Sequence, residues 1–298
     1  MIVPMIGDRP EVNVDSVIYA TDFEAAAENA GTYARMLADA CTANLLVAHA
    51  FLLEQAAREA EMTKGTVSRQ REHLHQVLAH RAGALSPNGR AAVPVLLEGI
   101  PEEEIPRLAE EHAPSIIVLG THGAGRLEHG IIGSVAERIL RSTRWPCFTV
   151  GPLAPKAPMA RELPFHRILF ATDLGPAAVH GAMFAVAFAE EAGADLHVMN
   201  AVPGGEARHA AEWREIEKHY QERLQSLVPD RAREFSNPHT YVEIGGVHDR
   251  ILGHIRDHGV DLLVLSVRKS SHLGLTMRTS GAYRVIAEAQ CPVLTITA

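Results

Sequence analysis

Val17-Ile-Tyr-Ala-Thr-Asp22-Phe23 returns 151 residues later as Ile168-Leu-Phe-Ala-Thr-Asp173-Leu174. Each copy is an apolar run that ends in Ala-Thr-Asp and passes into an alanine-rich helical pattern. Three further pairs follow in the same order. Leu45-Leu-Val-Ala-His49-Ala50 matches Leu196-His-Val-Met-Asn200-Ala201, Ser115-Ile-Ile-Val-Leu-Gly120 matches Asp261-Leu-Leu-Val-Leu-Ser266, and Trp145-Pro-Cys-Phe-Thr-Val150 matches Cys291-Pro-Val-Leu-Thr-Ile296. Self-similarity in fixed order marks a duplicated unit, and 298 residues suit two domains of about 150 each. The offset shortens by five residues between the second and third pairs. That places the length change around the second helix and third strand, where loops and helix ends absorb it.

Within each copy, short β-rich runs alternate with longer helical patterns, which predicts βαβ units feeding a parallel sheet. In the first copy the strands are expected near 16–20, 44–51, 91–97, 115–120 and 146–150, with helices over about 23–41, 54–84, 101–113 and 133–143. The second copy repeats the strands near 167–171, 195–202, 239–244, 260–266 and 292–297. Gly151-Pro-Leu-Ala-Pro-Lys-Ala-Pro158 cannot continue a helix or a central strand and reads as a linker. The division is therefore 1–151, a Pro-rich linker over 152–165, and 166–298. The fold class is α/β, with two tandem doubly wound domains and helices on both faces of each open five-stranded parallel sheet. Ligands in such sheets sit at the carboxyl ends of the strands, so the residues after strands one, two and four carry the functional information.

Composition excludes several classes. Hydrophobic residues make up 47% and charged residues 21%, as in an ordinary soluble globular protein. A formal charge of -8 leaves no basic stripe for a run of phosphates, which argues against nucleic acid. Cys41, Cys147 and Cys291 are odd in number and lack CxxC spacing, which points to a reducing compartment and no structural zinc. The N-terminus lacks a basic segment followed by an apolar core, and no window of about 18 apolar residues occurs, so a cytoplasmic protein without membrane contact is expected. His73, His75 and His80 fall close together on one expected helix, but their spacing does not share one face, and they read as a solvated surface. No metal site is expected.

The fourth strand of the first copy ends in Val118-Leu119-Gly120-Thr121-His122-Gly123 and the chain reaches Gly133-Ser134 where a helix begins. Gly120 and Gly123 have no Cβ, so the backbone can turn sharply and bring its amides close to a bulky anion. Gly133 and Ser134 add a helix N-terminus, whose unpaired N–H groups and dipole favour phosphate. The pattern is neither GxxxxGK[ST] nor GxGxxG, so the common NTPase and dinucleotide readings do not apply.

The spacing G-x2-G-x9-G-[ST], an Asp closing strand one, and Gly99-Ile-Pro-Glu-Glu-Glu-Ile105 before the third helix together resemble the ATP-binding class of universal stress proteins. The resemblance covers both copies. It implies a sheet order of 3-2-1-4-5 in each domain and ATP, with or without Mg2+, across the ends of strands one and four. It puts the adenine contact on Asp22 with Ala20 and Thr21 before it, and a position beside adenine or ribose on His49 and Ala50. The phosphate positions fall on Gly120, Gly123, Gly133 and Ser134, with Leu119, Thr121 and Val135 as neighbours offering backbone contacts. It also implies pairing through the last strand, so that Phe148-Thr-Val150 and Leu294-Thr-Ile296 meet as edge strands.

The second copy departs from this pattern. Aligned without gaps, Ser266, Lys269 and Thr279 stand where the first copy has Gly120, Gly123 and Gly133, and only Ser280 matches Ser134. Side chains at these positions add bulk and restrict positive φ, so triphosphate binding in the same pose is expected to be lost or weakened there. Lys269, with Arg268 and Arg278 near it, offers charge to an anion as an alternative to a plain structural role. Asp22 has a competing structural reading as a helix cap, His122 one as a solvated loop residue, and Glu102 to Glu104 one as first-turn acids complementing the helix dipole. For function, the leading expectation is an ATP-binding stress or signalling protein, with the second domain as an internal dimer partner and a homodimer of tandem chains as a further possibility. The alternatives are a slow ATPase or adenylyl-transfer enzyme, for which no catalytic set is evident, and a nucleotide-free interaction scaffold.

Overall fold

A computed structural model describes residues 12–52, 64–86, 89–121, 132–158, 163–204, 210–230, 232–267 and 281–297. The first half runs β1 (Ser16–Ala20), α1 (Ala25–Ala40), β2 (Asn44–Phe51), α2 (Lys64–Ala84), β3 (Val93–Glu98), α3 (Pro101–Glu111), β4 (Ser115–Gly120), α4 (Ser134–Ser142) and β5 (Cys147–Val150). The second runs β6 (Arg167–Ala171), α5 (Ala178–Ala192), β7 (Asp195–Val202), α6 (Ala210–Leu227), a short α7 (Ala232–Phe235), β8 (His239–Ile244), α8 (Val247–His258), β9 (Leu262–Val267), α9 (Gly281–Glu288) and β10 (Val293–Thr297). The strands lie within two residues of their expected bounds.

The strand order is β3-β2-β1-β4-β5-β10-β9-β6-β7-β8, which is 3-2-1-4-5 followed by the same order reversed. Every pairing within a half is parallel. The last strands of the two halves meet, as the pairing implied by the resemblance requires. The β5 and β10 edges close on each other antiparallel, and the chain builds a single ten-stranded sheet. Two parallel edges left bare would each present a row of unpaired amides and carbonyls, and the joint satisfies both.

Parallel strands buried on both faces read as unbroken apolar runs, because each side chain meets a helix layer whichever way it points. In β1, Val17 and Tyr19 face α1 and α2, whereas Ile18 faces α3 and α4. The second half repeats this with Ile168 and Phe170 under α5 and α6, and Leu169 under α8 and α9. The Pro-rich segment is held down. Asn29 on α1 donates from Nδ2 to the Pro155 carbonyl (2.9 Å) and accepts from the Ala157 amide at Oδ1 (2.9 Å). Leu163 and Phe165, which follow it, are buried in the layer under α5. Among the described residues no helix is long and apolar enough to cross a membrane.

The joint has a local two-fold. Leu294 opposes Phe148, while Val293 opposes Thr149 and Thr295 opposes Cys147, so equivalent residues of the two halves exchange places about the Phe148–Leu294 pair. Thr149 Oγ1 donates to the Val293 carbonyl (3.1 Å). The Phe148 ring, fully buried, lies 5.6 Å from that of Tyr33 on α1. Phe148→Ala is expected to cost about 3–5 kcal/mol of unfolding free energy, the range for a buried phenylalanine whose cavity cannot collapse. Urea titration followed by circular dichroism checks this, and a loss under 1 kcal/mol, by about the same scale, would mean the joint carries little of the fold.

Candidate functional site

The winding of the first half reverses at β1. The chain goes outward from it to β2 and β3, then crosses to β4 and β5, so Ala20 has Ala48 of β2 on one side and Leu119 of β4 on the other. Connections on the two sides leave in opposite directions, which opens a crevice at the carboxyl ends of β1 and β4. Most of the residues expected to bind ligand line this place.

After β1, two local turns set the backbone. The Thr21 amide still belongs to the sheet and donates to the Ala48 carbonyl (2.9 Å). Thr21 Oγ1 then accepts from the Phe23 amide (3.0 Å), and Asp22 Oδ1 accepts from the Glu24 amide (3.0 Å). Such side-chain turns compete with regular structure and can hold a residue in the left-handed region. Phe23 sits there at φ 67, unusual for a bulky side chain. Asp22 is therefore not the cap of α1, whose N-cap is Glu24 with no side-chain cap bond. Its carboxylate instead braces the turn at the exposed mouth of the crevice.

The end of β2 is tied to the same turn. His49 Nδ1 lies 2.8 Å from the Thr21 carbonyl, which can only accept, so Nδ1 carries the proton and Nε2 keeps its lone pair. Burial lowers the His49 pKa, opposed by the Thr21 bond and by the Asp22 charge. The His49 ring lies 4.3 Å from that of Phe23, and the Arg81 guanidinium, from α2, sits 5.9 Å from the Phe23 ring on the way to the Phe23 carbonyl (3.4 Å). Ala50 is half-buried beside Leu97 of β3. Phe23 and Arg81 were not singled out from sequence. A phenylalanine carries no signal for positive φ, and Arg81 is 58 residues away from its partner.

At the end of β4, Leu119 is buried and offers only its main chain. Gly120 is half-buried and registers with Val150. Thr121, 1% exposed, joins three elements: its amide donates to the Val150 carbonyl (3.1 Å) and its carbonyl accepts from the Gly133 amide (2.7 Å). The segment 122–131, with His122 and Gly123, lies outside the described residues, but its two ends are thus clamped together. The Gly133 amide is engaged by this clamp. The α4 ladder starts with Glu137 donating to the Gly133 carbonyl (2.9 Å). The amides of Ser134, Val135 and Ala136 accordingly lack an intrahelical acceptor, and Ser134 and Val135 are exposed. Glu102 to Glu104 stand in the first turn of α3, as expected, and Glu102 pairs with Arg138 of α4 (2.5 Å).

The second half keeps the framework of this site and changes its floor. Asn200 Nδ2 donates to the Thr172 carbonyl (2.7 Å) as His49 does to Thr21, and Arg223 donates to the Leu174 carbonyl (3.1 Å) as Arg81 does to Phe23. Leu174 repeats the positive φ at 58, and Asp173 braces the turn through Gly175 (2.7 Å). Where β4 ends in Gly120, β9 has Ser266, a buried residue whose Oγ donates to Thr172 Oγ1 (3.0 Å) and spans the gap between the ends of β6 and β9. Arg268, Lys269, Arg278, Thr279 and Ser280 lie outside the described residues.

A sequence profile of the universal stress protein family matches residues 13–151 and again 164–297. A universal stress protein G from Shigella flexneri is 30% identical over 136 residues, covering 43% of this chain and 92% of its own length. One from Methanocaldococcus jannaschii is 36% identical over 56 residues, 19% of this chain; the match spans only about a third (35%) of that relative. A crystal structure of a universal stress protein from Archaeoglobus fulgidus superimposes with a TM-score of 0.66 at 18% identity, over 95% of this chain and 98% of that one. With two successive matches covering nearly all of its length, on a fold that repeats once about a local two-fold, the chain belongs to the universal stress protein family as a tandem two-domain member.

Proposed function

We propose that the first half binds ATP across the ends of β1 and β4 and that the second half serves as its built-in pairing partner, in a stress-response or signalling role without dedicated catalysis. The observation that carries this reading is the difference, among the described residues, between two crevices that share the turn after their first strand. Gly120 leaves the end of β4 without a side chain, next to a helix whose first amides lack intrahelical acceptors. At the same place in the second half Ser266 bridges to Thr172. A helix N-terminus beside bare backbone suits a phosphate chain. The exposed Asp22 carboxylate and the His49 and Phe23 rings suit a base and sugar at the other end of the crevice. No Lys or Arg among the described residues stands at the first turn of α4, where helix amides and Mg2+ would offset phosphate charge. The boundaries 1–151 and 166–298, joined by 152–165, are part of the same proposal.

Calorimetric titration of the full chain with ATP and Mg2+ is expected to give one site per chain. Gly120→Ser, which copies the second half, is expected to weaken binding more than tenfold, about 1.4 kcal/mol or more, without loss of fold. Two equivalent sites, or unchanged affinity in Gly120→Ser, would sink the proposal. Adenine nucleotide released on denaturing the purified protein separates it from a nucleotide-free scaffold, and multiple-turnover hydrolysis would favour an enzyme.

His49 gives a pH test. Its depressed pKa means that the unfolded chain binds its proton first, so the stability it contributes is present above the ordinary histidine value of about 6.5 and is lost as pH falls below it. His49→Asn retains the bond to the Thr21 carbonyl, as Asn200 does in the second half. Urea unfolding at pH 7.5 and 5.5, as roughly bracketing that value, is expected to show a smaller loss in the variant than in the parent. Equal losses would contradict the assigned tautomer and burial.

A further inference from the structure

The two halves differ most sharply between the third sheet strand and the helix that follows it. In the first half this space is filled by Leu46 of β2, Leu97 of β3 and Leu108 of α3, all buried in one apolar cluster. Strand register places His197 and Glu243 at the positions of Leu46 and Leu97 in the second half, and the offset of the later pairs places His254 at that of Leu108. His197 and His254 are 4% and 3% exposed. An apolar solution for this backbone thus exists within the same molecule, and two imidazoles and a carboxylate stand in its place. Burying such groups costs free energy unless they are paired, so leucines would suffice if packing were their only task.

The polar groups are arranged as a metal centre arranges them. His254 and His258 lie one turn apart on α8, the i, i+4 spacing that puts two side chains on one helix face. Their rings stack at 4.1 Å, and His197 from β7 meets both rings edge-on at 5.1 and 5.2 Å. One ligand nitrogen from each of the three comes within 4.8 Å of the others. Glu243 Oε1 lies 3.1 Å from His254 Nδ1, so that nitrogen carries the proton and Nε2 turns its lone pair toward His197 Nδ1, 2.8 Å away. A carboxylate that fixes the tautomer of a ligating histidine is the usual outer partner of a bound metal.

We propose that His197, His254 and His258 bind one divalent transition-metal ion of the zinc class, with Glu243 as the positioning residue for His254. Imidazole nitrogens suit such borderline ions rather than Mg2+ or Ca2+. Bonds of about 2.0–2.1 Å in tetrahedral geometry set neighbouring nitrogens roughly 3.3 Å apart, so His197 and His254 must part by about half an ångström. The proton they share gives way to the ion. Three protein ligands leave a fourth position for water or an exogenous donor, and His258, which is exposed, provides the way in. Burial first, then the neighbouring histidines, pushes the His197 pKa down to about 3, so its ring is a neutral imidazole at neutral pH. Arg167, a nearby cation that also lowers the His197 pKa, is engaged through its guanidinium by the His258 carbonyl and by Asp195 (3.8 Å). His239 and Tyr241 of β8 complete the surroundings.

The test uses the full chain without a polyhistidine tag, stripped by chelator and titrated with zinc, with cobalt as a visible-absorption probe. The expected result is one tight site per chain and a melting temperature that rises with zinc. Glu243→Gln is expected to weaken zinc by about 10–100-fold, and His258→Ala, a change at an exposed position, by at least as much. Replacing His73, His75 and His80 together, all exposed on α2, is expected to change nothing. A combined His197→Leu, Glu243→Leu, His254→Leu variant restores the first-half packing, so it is expected to fold, to melt at least as high as the zinc-free parent, and to lose the site. The proposal is overturned if the folded parent takes up no zinc at micromolar free ion, or if His258→Ala or the triple leucine variant binds as the parent does.

Discussion

The hydrogen bonding of β1 between β2 and β4 governs the rest of each half. A strand paired on both sides by parallel neighbours sends its following chain to one flank and receives later chain on the other. The carboxyl ends of β1 and β4 consequently lack a connection passing over them. The turn at Thr21 and Asp22, the positive φ of Phe23, and the clamp of Gly133 on Thr121 are all adjustments at the rim of that opening. The second half repeats the turn at Thr172 and Asp173 and the positive φ at Leu174 around a different floor. Framework and contents are thus separable, and a serine hydroxyl directed at Thr172 changes the opening without disturbing the winding that creates it.

Much of this was legible in the sequence, for definite reasons. Parallel strands covered on both faces demand apolar residues without alternation, so Val17 to Ala20 and Ile168 to Ala171 announced themselves, and duplication showed each element twice. Gly120 and Ser134 stood out once strand four was found, and the family resemblance singled out Asp22 and His49. Legibility ended where a role depended on partners. Whether Asp22 caps α1 or braces the preceding turn is decided by one residue of backbone path. Whether the Gly133 amide is free or committed depends on where the Thr121 carbonyl points. The histidines near each other in sequence, His73, His75 and His80, are spread over a solvated helix surface. The convergent ones come from two elements, and His197 of β7 meets His254 of α8 across 57 residues, which spacing along the chain cannot reveal. The repeat itself held the missing signal, since apolar residues in one copy facing polar ones in the other, at buried positions, mark a place where packing is not the only demand.

The physical chemistry of the two exceptional places is opposite in kind. At the end of β4, function is expected from what is missing: no side chain on Gly120 and no intrahelical acceptor for the first amides of α4. Between β7, β8 and α8 it is expected from what was added, with imidazoles and a carboxylate bearing a desolvation cost that leucine avoids in the other half. Neither is a feature of the fold as such. Both are local departures that an otherwise well-packed ten-stranded sheet can tolerate.

Because β5 and β10 run antiparallel, everything that lies at the carboxyl ends in one half lies at the opposite edge of the sheet in the other. The two rims therefore open at opposite strand ends. In a pair of separate identical chains, any substitution is made at both rims at once, so the two must remain alike. Covalent continuity through the segment pinned to Asn29 removes that obligation. One edge is free to keep an open cradle while the other is rebuilt, and a single polypeptide acquires a left and a right.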